Sequence, residues 1–232
     1  QIRPRETSLP YSRTFVCFAN SRKTSGRCVA GKELIQGRPA GWIRPVSSRP
    51  THEISIDERR YQDGRDPDLL HIVSAQFLAA QPLPHQPENH LIDDGYYWSQ
   101  QGTFDFRNID AWLDAPTSLW DVGYSGYAFT NNRVPDSVTS SASLYLVRVP
   151  ALTLVVGAKS SDYPKRIVRG EFTHGRWPYC LAVTDPQVEA AYLARPDGRY
   201  TLHQPVLAVS LGDPFQGFFY KLIAAVLYDG RF

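Results

Sequence analysis

The residues most able to do chemistry fall in four short segments. Asn20-Ser21-Arg22-Lys23, followed by Gly26-Arg27, sets small polar groups, three cations and a turn within eight residues. Such a turn presents backbone N–H groups and basic side chains to a phosphate; a plain basic hairpin tip has the same composition. In Gly41-Trp42-Ile43-Arg44-Pro45-Val46-Ser47, Trp42 and Arg44 lie two apart and share one face of a strand. An indole platform beside a guanidinium, with Ser47 nearby, holds single-stranded nucleic acid by stacking and phosphate contact. The alternative puts Trp42 in the core and pairs Arg44 with an acid from residues 51–140. Gln86-Pro87-Glu88-Asn89 gathers amide and carboxylate groups that can read base edges or brace their own loop. Lys221 is the one cation in the apolar run Tyr220 to Ala224, and points outward or reaches an anion.

No residue is assigned as catalytic. GxxxxGK[ST], a GxGxxG after a strand, HExxH, GxSxG and an EF-hand loop are all missing from the sequence. His85 and His90 beside Glu88 make a weak metal pair, so neither a metal nor a cofactor is expected. Cys17, Cys28 and Cys180 lack CxxC spacing and sit in apolar contexts, which suits buried free thiols in a reducing, cytoplasmic compartment. An enzyme acting on nucleotides remains an alternative if Asn20, Arg44, Glu88 and Lys221 converge on one pocket.

Charge is distributed unevenly. Residues 1–50 carry ten Lys/Arg against two Glu, and residues 51–140 carry five Arg against fourteen acids. The basic third can attract phosphate, or it can pair with the acidic middle, which could itself serve as a protein-docking surface. No run of apolar residues is long enough for a membrane helix, so no membrane partner is expected.

These residues must be positioned by strands. Residues 13–19 and 27–34 read as a hairpin around a turn at 22–26, with further strand character at 42–46, 70–79 and 144–156, the last broken at Pro150. Residues 167–173, 178–184, 200–202, 206–211 and 220–228 complete a β-rich C-terminal half, with a tight turn at Gly212-Asp213-Pro214. Helices are expected at 104–114 and after Asp185-Pro186. Residues 49–70, the segment PLPHQPENHLI and residues 117–142 read as loops. The fold class is mainly β, a barrel or sandwich with one or two short helices.

The segments FANSRKTSGRCVAG, GWIRPVS, PHQPEN, SLYLVRV, YCLAVTDP and SLGDPF…YKLIAAV together resemble the dual OB-fold domain of prokaryotic conflict and anti-phage systems. The resemblance implies two OB-like barrels in one compact unit. Residues 1–12, with two prolines and no periodicity, read as an N-terminal arm outside this pattern, followed by a first barrel with a long irregular insertion at 13–140 and a second barrel at 141–232. The resemblance also implies recognition of nucleic acid or a nucleotide, with any effector protein encoded separately. The family's polar positions fall on Asn20, Ser21, Arg27, Arg44, Gln86, Glu88, Asn89 and Lys221.

Overall fold

A computed structural model describes residues 9–232, except 24, 127, 128, 139, 161 and 162. Most of the expected arm therefore lies outside the described residues, and the first strand begins at Tyr11. Strand β1 (Tyr11–Lys23) forms the expected hairpin with β2 (Gly26–Ile35). Next come β3 (Arg38–Val46), the single-turn helix α1 (Ile56–Arg59), β4 (His71–Ala80), β5 (Asn89–Ile92) and β6 (Ser99–Thr103).

The first half of β1 pairs with β4 and its second half with β2. The remaining pairs are β2 with β3, β3 with β5 in parallel, and β5 with β4. The order β1-β2-β3-β5-β4 thus returns to β1, and the ring has no free edge. This is a five-stranded OB barrel. β1 bends at Phe18, where the register jumps from Cys17↔Gly31 to Ala19↔Ala30. Gly31 makes that bend possible, because a Cβ there would sit 2.1 Å from the Val16 carbonyl oxygen.

The second half repeats the plan. A 3₁₀ turn at Phe106–Trp112 and β7 (Arg133–Pro135) lead to β8 (Leu144–Arg148) and β9 (Ala151–Ser160). Then follow β10 (Tyr163–His174), β11 (Trp177–Val183), α2 (Pro186–Leu193), β12 (Gly198–His203), β13 (Val206–Phe215) and β14 (Phe218–Leu227). β8 pairs with β13 and β9 with β10, so the chain that bends at Pro150 plays the part of β1. β11 and β14 are parallel, as β3 and β5 are. The expected break at Pro150 is therefore the corner of a second barrel.

Three expectations are corrected. Asn89–Ile92, read as loop, is β5, held by parallel pairing to β3. Gly212-Asp213-Pro214, read as a turn, belongs to β13; the chain reverses at Gln216-Gly217, both with positive φ. Loop 49–70 contains α1, closed by a capping box between Ser55 and Glu58.

The second half of the chain helps to fill the first barrel. The first core packs Phe15, Phe18, Ile43 and Trp98 together with Leu144, Leu146, Val206, Ala225 and Leu227 from the second half. A second core holds Leu154, Val156, Leu181, Val209 and Ile223. The seam is stitched by the Arg22 N–H to Thr184 O bond and by Asp114, which bonds Lys32, Trp42 and the Leu146 backbone. Among the described residues no helix is long and apolar enough to cross a membrane.

Candidate nucleic-acid interface

The β1–β2 hairpin carries Asn20, Ser21, Arg22, Lys23 and Arg27 to the seam between the barrels. A cavity of about 200 Å³ is lined there by Ser21, Arg22, Lys23, Cys28, Arg44 and Gln86, with Ser210 to Asp213 opposite. Its floor is a buried polar cluster. Arg44 is only 3% exposed. Its guanidinium donates to Ser143 Oγ at 2.7 Å and to Glu88 Oε1 at 3.4 Å, and lies 2.9 Å from Cys28 Sγ. Ser143 in turn donates to Glu88. Burial alone would lower the Arg44 pKa, but Cys28 and Glu88 outweigh it and hold the guanidinium above its ordinary value. Arg44 therefore has internal partners on all sides, including the acid from residues 51–140 that the pairing alternative required. It is no open phosphate contact.

Gln86 and Asn89 extend this cluster. Asn89 donates to Gln86 Oε1 at 3.2 Å, and Gln86 donates to the Leu211 carbonyl at 3.3 Å, across the seam. Both are buried. They brace the PHQPEN segment against the second barrel, and the β-bridge Leu83↔Gln86 closes its loop. Ser21 donates to the Cys28 carbonyl, and Ser47, fully buried, donates to Glu58 at 2.7 Å.

The hairpin cations line the seam cavities, with Arg22 exposed and Lys23 and Arg27 half-buried. Arg22 makes a two-pronged ion pair with Glu189 of α2, at 3.0 and 3.1 Å. Lys23 meets Asp213 at 2.9 Å. Arg27 has no ion pair among the described residues; burial first, then Arg59, lower its pKa, with Asp66 opposing. With Asn20, Arg27 lines a second seam cavity of about 170 Å³ that also touches Asp66, Asp68, Asp185 and Gln187. Asn20 donates to the Pro67 carbonyl at 2.7 Å, and its Oδ1 has no hydrogen-bond partner.

Two expected residues lie elsewhere. Trp42 does not form an open stacking platform with Arg44. Its ring packs edge-on to Phe18, its Nε1–H donates to Asp114 Oδ2 at 2.9 Å, and the Lys32 ammonium covers it. Lys221 is 1% exposed and donates to the Asp121 carbonyl. Burial pushes its pKa down to about 8, with Asp121 opposing. Arg44 and Glu88 meet, but Asn20 and Lys221 line separate cavities, so these four form no single pocket.

Sequence reasoning missed Asp114, Ser143 and Asp185. Asp185 is expected only as the cap of α2, which it is; it also accepts from the Val226 N–H and pairs with Arg231 at 2.6 Å. Cys17 and Cys28 are free thiols, Cys17 buried and Cys28 partly exposed at the seam, and Cys180 is buried.

Two OB rings, each with its parallel pair (β3/β5 and β11/β14), are what the family comparison leads one to expect. The model of the dual OB-containing domain covers residues 13–226. The chain belongs to this family. No curated protein matches the chain. The dual OB domain thus spans nearly the whole chain, and the seam cavities lie within it.

Proposed function

We propose that this dual OB domain is a recognition module for nucleic acid or nucleotides. The observation that carries the reading is the paired OB ring itself, fused through one core, with basic side chains gathered where the rings meet. OB barrels present a shallow face and flanking loops to oligonucleotides. Arg22, Lys23 and Arg27 are the groups we assign to phosphate, with Asn20 beside them. Ser21, Trp42, Arg44, Ser47, Gln86, Glu88 and Asn89 act as the frame that fixes the hairpin. The division into barrels at 13–140 and 141–232 is part of this reading. The resemblance noted from the sequence supports a place in prokaryotic defence, with an effector on a separate chain. The free thiols of Cys17 and Cys28 support a reducing, cytoplasmic setting.

The test is fluorescence anisotropy with labelled 12-nucleotide single-stranded DNA and RNA across a salt series. Three phosphate contacts predict a slope of log affinity against log salt of about −2. The triple substitution Arg22→Ala, Lys23→Ala, Arg27→Ala should flatten it. No binding of either strand at low salt would overturn the proposal.

A further inference from the structure

The second barrel carries a cavity that the seam does not explain. It has a volume of about 340 Å³, within the size range of small-ligand sites (roughly 300–1,000 Å³), and lies beside the tip of the β13–β14 hairpin. Its walls include Phe129, Phe215 and Tyr220. Phe215 is 62% exposed, although a large apolar ring is normally covered, and it sits beside Tyr220. The Arg133 guanidinium lies 4.1 Å from the centre of the Phe218 ring at the same tip.

The polar groups of this cavity are the telling part. Asn132 is 6% exposed, and its Oδ1 has no hydrogen-bond partner. Arg133 Nε, also buried, has none either. Buried polar atoms are nearly always bonded, because leaving one unmade costs free energy. Here an orphan acceptor and an orphan donor belong to adjacent residues, and both residues line one aromatic cavity. A planar ring with a neighbouring donor and acceptor on its edge would satisfy both while stacking on the aromatics.

We infer that this cavity is a nucleobase-binding site. The inference rests on the nucleic-acid reading above and narrows it to the base, held in a second-barrel cavity that shares Leu222 with the seam cavity. Every common base carries an adjacent donor and acceptor, so the pair recognises a base without choosing one. The base can come from a free nucleotide or from a single strand.

The experiment titrates AMP, GMP, CMP and UMP against wild type by isothermal calorimetry, and a labelled 12-nucleotide RNA by anisotropy. Phe215→Ala and Asn132→Ala are compared with Arg107→Ala, an exposed control remote from the cavity. The exposed position of Phe215 keeps that variant informative if Asn132→Ala misfolds. A loss of at least tenfold in monophosphate affinity for the cavity variants, with the control unchanged, supports a free-nucleotide site. The same loss seen only with RNA supports a base taken from a strand. RNA binding that Phe215→Ala leaves intact, with no monophosphate bound, overturns the cavity but leaves the nucleic-acid reading standing. No binding of any probe to wild type removes both.

Discussion

Arg44 illustrates what burial does to a cation. A guanidinium at a barrel seam is tolerated only when opposite charge and acceptors surround it, and Glu88, Ser143 and Cys28 supply them. Arg44→Ala would leave Glu88 buried without its counter-charge, and the expected cost is about 3–5 kcal/mol by urea unfolding. Pairing Arg44→Met with Glu88→Leu should recover much of that loss; a single variant within 1 kcal/mol of wild type would refute the clamp. Lys221 makes the complementary case. Its folded pKa of about 8 lies below the ordinary 10.5, so between these values the unfolded chain binds the extra proton. The Lys221 contribution to stability therefore rises with pH across that window. The stability margin of Lys221→Met over wild type should shrink between pH 8 and 10.5. Cys17, raised from 9.0 to about 12 by burial, acts oppositely, but it is common to both proteins and cancels from the difference. A margin that stays flat with pH would contradict the burial argument.

At the scale of elements, Asp185 joins three structures with one carboxylate. It caps α2 through the Gln187 and Val188 N–H groups, accepts from β14 at Val226, and balances Arg231. Asp185→Ala should cost about 3–5 kcal/mol in urea unfolding, because it removes a cap and strands a buried cation. Asp185→Asn, which keeps an oxygen for the cap, should cost less; equal losses would mean that charge is irrelevant there. The cap itself was legible from Asp185-Pro186, a local signal, and so were strands with strong β composition such as Leu144 to Val156. Local pattern could not show β5, because the short segment Asn89–Ile92 becomes a strand only when β3 arrives beside it in parallel. It also misplaced the last hairpin, since Gly212-Asp213-Pro214 looks like a turn while the reversal uses Gln216-Gly217. For the site the division is similar. The hairpin cations were legible from composition, whereas the burial of Arg44 and the partial burial of Trp42 depend on partners 44 to 99 residues away, at Glu88, Asp114 and Ser143. The orphan pair at Asn132 and Arg133 had no local signature at all.

At the scale of the molecule, the decisive feature is that the first ring's interior is completed by the second half. Leu144, Leu146, Val206, Ala208 and Leu227 from the second half complete the core around Phe15 and Phe18. Asp114, on the link between the rings, bonds β2 and β3 on one side and β8 on the other. Two barrels in contact through polar surfaces would unfold independently, whereas barrels sharing apolar contacts lose them together. Calorimetry should therefore show one cooperative transition with equal calorimetric and van't Hoff enthalpies. Segments 13–140 and 141–232, expressed separately, should each lack a sharp melting transition, because each exposes apolar residues that the other covers. Leu146→Ala, at the shared core, should lower the single transition by about 2–5 kcal/mol without splitting it. Two resolved transitions in wild type, or a first segment that folds alone with native-like stability, would show that the rings are independent modules and that the seam is only an interface.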